Sequence, residues 1–138
     1  MIPLLPALHD TSGPTASPEA VRFGEHALTY ARLAAASESL AARIAGAGRV
    51  AVWATPTPET VIAVVAALRA GVPAVPLNPK TGERELAHIV ADSAPSVVLA
   101  GEDDVLPPVL AALQRLDACT TADAPRCGLH RTLPESPP

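Results

Sequence analysis

The stretch VAVWATPTPETVIAVVAALRAGVPAVPL, residues 50–77, decides the fold. Its start, residues 49–54, is a mostly apolar run without strict alternation, which is typical of a strand buried on both faces of a parallel sheet. A helix follows, because Thr57 can cap it, Pro58 fits its first position and Glu59 favours the positive end of its dipole. The sequence therefore predicts a strand followed directly by a helix.

The second half of this stretch completes a strand–helix–strand unit. Residues 61–68 are apolar nearly all round, so we expect protein to cover both sides of the helix, which ends at Gly71. Residues 72–77 form the next strand candidate. Its two prolines, Pro73 and Pro76, would each remove a ladder donor, which predicts an edge strand or an irregular one.

The same alternation of elements continues outward on both sides. Upstream, residues 21–29 predict a small hairpin, and an amphipathic helix follows from the N-cap Thr29 to about Gly46 and Gly48. Downstream, we predict a loop over 78–82, a helix over 83–92, a strand over 96–100 and a fourth helix over 105–116. This order predicts an α/β fold, a partial doubly wound parallel sheet with flanking helices on both faces.

Clustered prolines at the N-terminus and a loss of hydrophobic periodicity near residue 118 indicate the domain boundaries. Residues 1–19 contain Pro3, Pro6, Pro14 and Pro18 and predict an irregular leader. Residues 20–117 form the α/β domain. Residues 118–138 have no periodicity, and we expect an irregular, disordered tail. Cys119 and Cys127 lie in it; we interpret them as idle thiols, with a disulfide or half of a metal site as the alternatives.

Composition excludes several classes of partner for the 138-residue chain. The formal net charge of −4 gives no electrostatic reason to expect nucleic acid or an anionic membrane, and three aromatic side chains are too few for base stacking. The most apolar run, residues 61–70, is half the ~20 residues needed to span a bilayer. The N-terminus lacks the basic leader and long apolar core of a secretory signal, so we expect a cytoplasmic protein.

Two groups of polar residues resemble sites only superficially. Thr11-Ser12-Gly13-Pro14-Thr15 is rich in hydroxyls, but no strand precedes it, Pro14 removes a donor and the first lysine is Lys80, so we interpret it as a flexible leader. Asp103 and Asp104 could bind a metal or belong to a phosphate-accepting receiver site. We favour a solvated turn.

The remaining candidates are scattered along the chain. His88 lies beside the apolar face of its helix, where a packed or surface histidine is favoured over a ligand, and His9, His26 and His130 are isolated. Thr55-Pro56-Thr57-Pro58 could be a ligand-facing loop, although a capped helix start explains it as well. The sequence therefore assigns no catalytic, cofactor-binding or metal-ligating residue.

Several ordered motifs resemble a known family. They are Phe23-Gly24-x-x-x-Leu28-Thr29-Tyr30-x-x-Leu33, Leu68-Arg69-Ala70-Gly71-Val72-Pro73-Ala74-Val75-Pro76-Leu77-Asn78-Pro79, Glu85-Leu86-Ala87-His88-Ile89 and Asp92-Ser93-Ala94. Together they resemble the opening of AMP-forming acyl-CoA synthetases, the adenylate-forming ligases, with Arg32 where the first core motif usually has glutamate. Residues 50–56 and Asn78-Pro79-Lys80-x-Gly82 look most like malonyl-CoA synthetases. The resemblance covers about residues 20–100 and weakens towards 117.

The resemblance implies the reaction of a parent enzyme. Such enzymes join a carboxylate to ATP, giving an acyl-adenylate and pyrophosphate, and CoA then attacks the adenylate. The family's phosphate loop, Mg-binding glutamate, ribose-binding aspartate and C-terminal lysine have no counterpart here; Lys80 belongs to the Asn78-Pro79-Lys80 loop and cannot replace that lysine. We therefore expect no cofactor in this chain, whereas the parent family uses ATP, Mg and CoA.

Three hypotheses about function follow. The leading one is an N-terminal fragment of an acyl-CoA synthetase, with malonate as the parent's carboxylate, that is inactive alone. The alternatives are a non-catalytic α/β interaction module and a small, independent nucleotide-binding domain. Because a truncated parallel sheet leaves an open edge, we also expect self-association through that edge.

Overall fold

The computed structural model of the chain describes residues 18–118. Two short strands come first and form a hairpin; helices and parallel strands then alternate. In chain order the elements are β1 Glu19–Phe23, β2 His26–Thr29, α1 Tyr30–Ile44, β3 Val50–Trp53, α2 Pro58–Ala70, β4 Ala74–Leu77, α3 Glu83–Ser93, β5 Val97–Gly101, a 3-10 turn at Pro108–Leu110, and β6 Gln114–Ala118.

Four of the strands form one parallel sheet in the order β4-β3-β5-β6. All four residues of β3 are buried, as expected for a strand covered on both faces, and β4 lies at an edge, as its prolines predict. β1 and β2 form a separate antiparallel hairpin. The predicted α/β class, with a parallel sheet and flanking helices, is confirmed.

Two apolar layers cover the two faces of the sheet. On one face α1 and α2 pack against Val50, Val52 and Leu99. On the other face α3 and the 3-10 turn place Leu86 and Leu110 against a row that includes Ala51, Trp53 and Val98. Successive side chains of a strand point to opposite faces, so each buried strand serves both layers.

Polar contacts fix α1 against its neighbours. Thr29 is the N-cap of α1, and its Oγ1 accepts a hydrogen bond from the Arg32 N–H at 3.2 Å. Arg69 of α2 donates to the Ala34 carbonyl at 3.0 Å and to the Ser37 hydroxyl at 3.1 Å. Ser37 is completely buried, and its hydroxyl also donates to the Ala34 carbonyl at 3.2 Å, so it both donates and accepts a hydrogen bond.

The helix α2 has the predicted ends but an exposed side. It begins at Pro58 and is closed by Gly71, which adopts the left-handed conformation with φ 68°. Leu68 is 51% exposed, and Val61 and Val64 are half-buried beside it. The expectation that protein covers both sides of this helix is therefore wrong along that stripe, within the residues that the structure describes.

The predicted fourth helix, Val105–Leu116, is wrong. This segment forms a single 3-10 turn at 108–110 and then the strand β6. Pro107 and Pro108 disfavour helical backbone in the residues before them, and the outer side of β5 is free to pair with a strand. Leu116 and Ala118 then join the core beneath α1 and α2, which satisfies the apolar residues without a helix.

Electrostatic contacts in the hairpin lie at the surface. The hydrogen bond from Arg22 lowers the pKa of the Glu19 carboxyl below its usual value, and the same bond raises the pKa of Arg22.

Within residues 18–118, no helix is both long enough and apolar enough to cross a membrane. Residues 1–17 of the predicted leader and 119–138 of the predicted tail, with Thr11–Thr15, His9, His130, Cys119 and Cys127, lie outside the described residues. Of the rest, Glu19 begins β1 and Ala118 ends β6, so these two residues are not irregular as predicted.

Candidate functional site at the carboxyl edge of the sheet

The loops after β3, β4 and β5 meet at one edge of the parallel sheet. Ligands of open α/β sheets bind at this carboxyl edge, so it is the first place to look for chemistry. The three loops are residues 54–57, 78–82 and 102–107. They contain three of the groups singled out from the sequence: the Thr55–Pro58 stretch, Lys80 and the pair Asp103 and Asp104.

Three threonine hydroxyls cluster after β3. Thr55 Oγ1 lies 3.0 Å from Thr57 Oγ1 and 3.4 Å from Thr60 Oγ1. Thr60 Oγ1 also donates to the Thr55 carbonyl at 2.6 Å. The hydroxyls are therefore used within the loop, where they hold the first turn of α2 against the end of β3.

This cluster does not fit a phosphate cradle. Such a cradle needs consecutive backbone N–H groups that face one anion. Pro56 and Pro58 have no N–H, while the N–H groups of Thr57 and Thr60 donate to the carbonyls of Thr55 and Thr57 at 2.8 and 3.2 Å. The alternative interpretation of residues 55–58 as a helix start accounts for the loop, although Thr57 makes no side-chain cap bond.

The loop after β4 is closed by its own asparagine. Asn78 Oδ1 accepts a hydrogen bond from the Lys80 N–H at 2.9 Å, and the Thr81 N–H donates to the Asn78 carbonyl at 3.0 Å. Asn78, Pro79 and Lys80 are all exposed. The lysine is thus free to meet solvent, on a loop shaped by a local Asx turn.

The loop after β5 is held by the Arg115 side chain of the neighbouring strand β6. Arg115 of β6 donates to the Asp117 carboxylate at 2.7 Å, to the Gly101 carbonyl at 2.6 Å and to the Asp104 carbonyl at 2.9 Å. The Asp104 carboxylate in turn accepts from the Gly101 N–H at 2.8 Å. Asp104 therefore closes the turn, as the solvated-turn interpretation expects, and Arg115 ties that turn to β6.

Arg115 and Asp117 were missed by the sequence analysis. The Asp117 side chain is 5% exposed and that of Arg115 is 25% exposed, so their ion pair is largely buried. The signal that could have revealed them is the alternation in Gln114–Ala118, where the two charges alternate with Leu116 and Ala118. A period of two indicates a strand, but the longer apolar period favoured a helix.

The other candidates do not come together. His26, His88 and Asp103 are each exposed, on the hairpin, on α3 and in the turn after β5. In the part of the chain that the structure describes, no three His, Cys, Asp or Glu side chains are grouped so that they could hold a metal ion. The described carboxyl edge is thus shaped by internal hydrogen bonds.

Comparison with known proteins identifies the family. The profile of the AMP-binding enzyme family matches residues 10–137. The chain belongs to the AMP-binding enzyme family. This confirms the family that the core motifs predicted.

Two solved structures of related enzymes share this fold. The chain is 61% identical to a malonyl-CoA ligase solved with methylmalonyl-CoA and AMP bound; the match has a TM-score of 0.74 and covers 85% of this chain and 25% of that one. It is 26% identical to the O-succinylbenzoate coenzyme A synthetase of Bacillus subtilis in complex with AMP, with a TM-score of 0.61 over 81% of this chain and 31% of that one.

A curated relative is much longer than this chain. Malpinin synthetase of Mortierella alpina is 36% identical over 93 residues, which are 62% of this chain and 1% of that protein. The chain therefore spans a third or less of the length of each of these three relatives. The family depends on ATP and CoA. The described residues form a four-stranded parallel sheet, a two-stranded hairpin and the helices packed against them.

Proposed function

We propose that this chain is the N-terminal portion of an AMP-forming acyl-CoA synthetase of the malonyl-CoA ligase type, and that it does not form an adenylate by itself. In the parent reaction a carboxylate oxygen attacks the α-phosphorus of ATP, and pyrophosphate leaves. The CoA thiol then attacks the acyl carbon of the adenylate, giving acyl-CoA and AMP. Malonate is the carboxylate that we propose.

One observation carries this proposal: the 61% identity to a malonyl-CoA ligase over 85% of the chain. That identity is more than twice the 26% shared with the O-succinylbenzoate enzyme, although both matches cover a similar share of this chain. A difference of this size favours the malonate enzyme as the parent type.

The geometry of the family motifs supports a scaffold role. In the first motif Leu28 and Leu33 are 1% and 6% exposed, and Thr29 between them caps α1. In the second motif Leu77 is 1% exposed and Gly71 closes α2. In both motifs the leucines therefore pack in the core, while Thr29 starts one helix and Gly71 ends another.

Chemistry of the parent type needs positive charge and N–H donors around the departing pyrophosphate. The described carboxyl edge directs its hydroxyls and several of its backbone donors inward, and Arg115 is held by Asp117 and two carbonyls. These groups would have to leave their present partners before they could bind a triphosphate. The fit to ATP and Mg is therefore poor, which supports the proposed inactivity.

Exchange of labelled pyrophosphate into ATP tests the proposal directly. We expect no exchange above the protein-free blank with malonate or methylmalonate, while a full-length malonyl-CoA ligase in the same buffer exchanges readily. Exchange that depends on malonate and on this chain would overturn the claim of inactivity. The control enzyme shows that the assay detects the reaction.

Two further measurements separate this proposal from its alternatives. Translation of the DNA downstream of codon 138 in all three frames should reveal a phosphate-loop motif if the coding frame of a longer synthetase was interrupted, and its absence in every frame would contradict that origin. Calorimetric titration with ATP should show no binding at millimolar concentrations. A saturable isotherm would favour the independent nucleotide-binding domain.

The proposal includes a cytoplasmic location, because ATP and CoA, on which the family depends, are available there. Cell fractionation of the producing organism tests this part. Recovery of the chain with membranes or in the culture medium would contradict it.

A further inference from the structure

The two edges of the sheet differ in what they can pair with. Backbone N–H and C=O groups alternate in direction along a strand. The Val50 N–H donates to the Pro73 carbonyl and the Ala54 N–H to the Leu77 carbonyl, both at 3.0 Å, so alternate residues of β4 face β3. Pro76, between them, faces the free edge without a donor. The β4 edge is therefore blunted by proline.

The β6 edge has its donors. Residues directly opposite each other in a parallel ladder point their backbone groups in the same direction. Ala51 faces β5, and the register sets Ala51 opposite Val98 and Val98 opposite Arg115. The N–H and C=O groups of Arg115 and Asp117 therefore point to the free edge. Within residues 18–118, no strand pairs with them.

The side chains of these two residues form a charged pair on one face. Leu116 and Ala118 pack beneath α1 and α2, so Arg115 and Asp117 lie on the opposite face, two residues apart. Their 2.7 Å ion pair is internal to β6. Any strand added to this edge must meet one positive and one negative charge in that order.

A second copy of β6 meets this requirement in one antiparallel register. If the twofold axis passes through Leu116, Arg115 lies directly opposite the partner's Asp117, and the reverse pair is equivalent. Both residues point their backbone groups outward, so each pair also exchanges two N–H···O bonds. An axis through Arg115 or through Asp117 would instead set like charges opposite each other, which is unfavourable.

The same charges disfavour other occupants. Charged side chains on an edge strand ordinarily protect it, because an apolar strand would bury them without partners. Arg115 and Asp117 already bond to each other within β6, and the antiparallel copy adds an opposite charge across the interface at both positions. The β6 edge of one copy is therefore complementary to the β6 edge of a second copy, as an isologous twofold interface requires.

We propose that two copies of this chain associate by antiparallel pairing of β6 with β6 about a twofold axis at Leu116, with Arg115 opposite the partner's Asp117. Two four-stranded sheets become one eight-stranded sheet. The pairing of five residues a side buries less than a standard interface of ~1,600 Å², so the dimer is weak and concentration-dependent. This inference does not depend on the malonate chemistry proposed above.

Charge reversal tests the register. In sedimentation equilibrium up to the highest soluble concentration, the wild-type chain should show a monomer–dimer equilibrium. Arg115→Asp alone sets four negative charges together and Asp117→Arg alone sets four positive ones, so each should raise the dimer dissociation constant about tenfold or more. An equimolar mixture of the two variants restores opposite charges at both positions and should recover dimer.

The mixture separates charge pairing from damage to the fold. Both single variants are first checked for a native circular dichroism spectrum and a cooperative melt. A strictly monomeric wild type, single variants that dimerise as well as wild type, or folded variants whose mixture stays monomeric would each overturn the proposal. Recovery in the mixture alone supports it.

Cysteine cross-linking gives a readout that does not need the charge variants. In a Cys119→Ser, Cys127→Ser background, Leu116→Cys places two thiols across the axis in a non-hydrogen-bonded pair, about 4.5 Å apart between Cα atoms, which suits a disulfide. Ala118→Cys is the matched control, because its two copies would lie roughly 14 Å apart. Rapid oxidation to a covalent dimer at 116 but not at 118 is expected; equal rates would overturn the register.

Discussion

Two connections between strands of the parallel sheet differ in length and in what holds them. Between β3 and β4 the chain passes through the thirteen-residue helix α2, whose Ile62, Ala63 and Ala66 are at most 1% exposed. Between β5 and β6 it passes through a three-residue 3-10 turn, and only Leu110 of that turn is buried. The helical return is held by apolar packing, and the short return is held by the Arg115 hydrogen bonds.

The comparison shows that the connection between two parallel strands does not need a long helix. A short turn serves as well where side-chain hydrogen bonds hold it. In the short return Arg115 bonds the carbonyls of Gly101 and Asp104 and so fixes residues 101–104 without a helix ladder. We therefore expect the connection through α2 to be sensitive to the loss of buried apolar side chains, and the connection between β5 and β6 to be sensitive to the loss of charge at Arg115. The substitutions below test it.

The largest effect is expected at the centre of the helical return. Ile62→Ala removes a fully buried α2 side chain from the core that α2 shares with α1 and the sheet, and should lower the free energy of unfolding by about 4 kcal/mol. Leu110→Ala should cost about 2–3 kcal/mol, because the short turn can relax into the space. Urea unfolding at low protein concentration measures both. An equal or larger loss at Leu110 would contradict the comparison.

The next effect concerns the charge that holds the short return. Arg115→Leu leaves the Asp117 carboxylate buried without its partner and should cost about 3 kcal/mol in the same urea experiment. Arg49→Leu is the control and should change stability by less than about 1 kcal/mol, because the Arg49 side chain makes one exposed hydrogen bond, to the Ser93 carbonyl.

A double variant identifies the origin of that loss. Arg115→Leu combined with Asp117→Leu removes the unpaired charge, so it should be more stable than Arg115→Leu alone. If the double variant is no more stable, the loss comes from the carbonyl contacts of Arg115 instead of the stranded carboxylate.

A smaller effect is expected where the helical return turns into β4. Gly71 has φ 68°, and an added Cβ would meet no atom within 4 Å, so Gly71→Ala tests backbone strain alone and should cost about 1 kcal/mol. Gly48, also with open space but outside the left-handed region, should tolerate alanine and gain up to about 0.5 kcal/mol. Thermal melts of the two variants compare them; shifts of the same sign would contradict this account.

The smallest effect distinguishes two helix starts. Thr29→Ala removes the hydroxyl that accepts from the Arg32 N–H and should cost about 1 kcal/mol. Thr57→Ala removes only a contact with the Thr55 hydroxyl, because α2 starts with Pro58, and should cost about 0.5 kcal/mol. Paired melts rank them, and the reverse order would show that Thr57 is the stronger cap.

Local signals predicted most of the scaffold. The Thr29 cap, the Gly71 end of α2 and the apolar run of β3 each act through neighbours in sequence, and the structure has all three as predicted. The site was less predictable. The threonine cluster lies where the sequence placed a loop, but the Arg115 network joins residues 101, 104, 115 and 117 through strand pairing, which no local pattern shows.

The sequence by itself determined the α/β class, the family and the parallel direction of the sheet, because capping, periodicity and ordered motifs are written in short windows. Only the tertiary structure decided that Gln114–Ala118 is a strand and that its charged residues present their backbone at an open edge. The apolar residues of 105–116 satisfy a helix and a turn-plus-strand almost equally. The free side of β5 decides between them, since pairing with it gives β6 its ladder hydrogen bonds and buries Leu116 in the core.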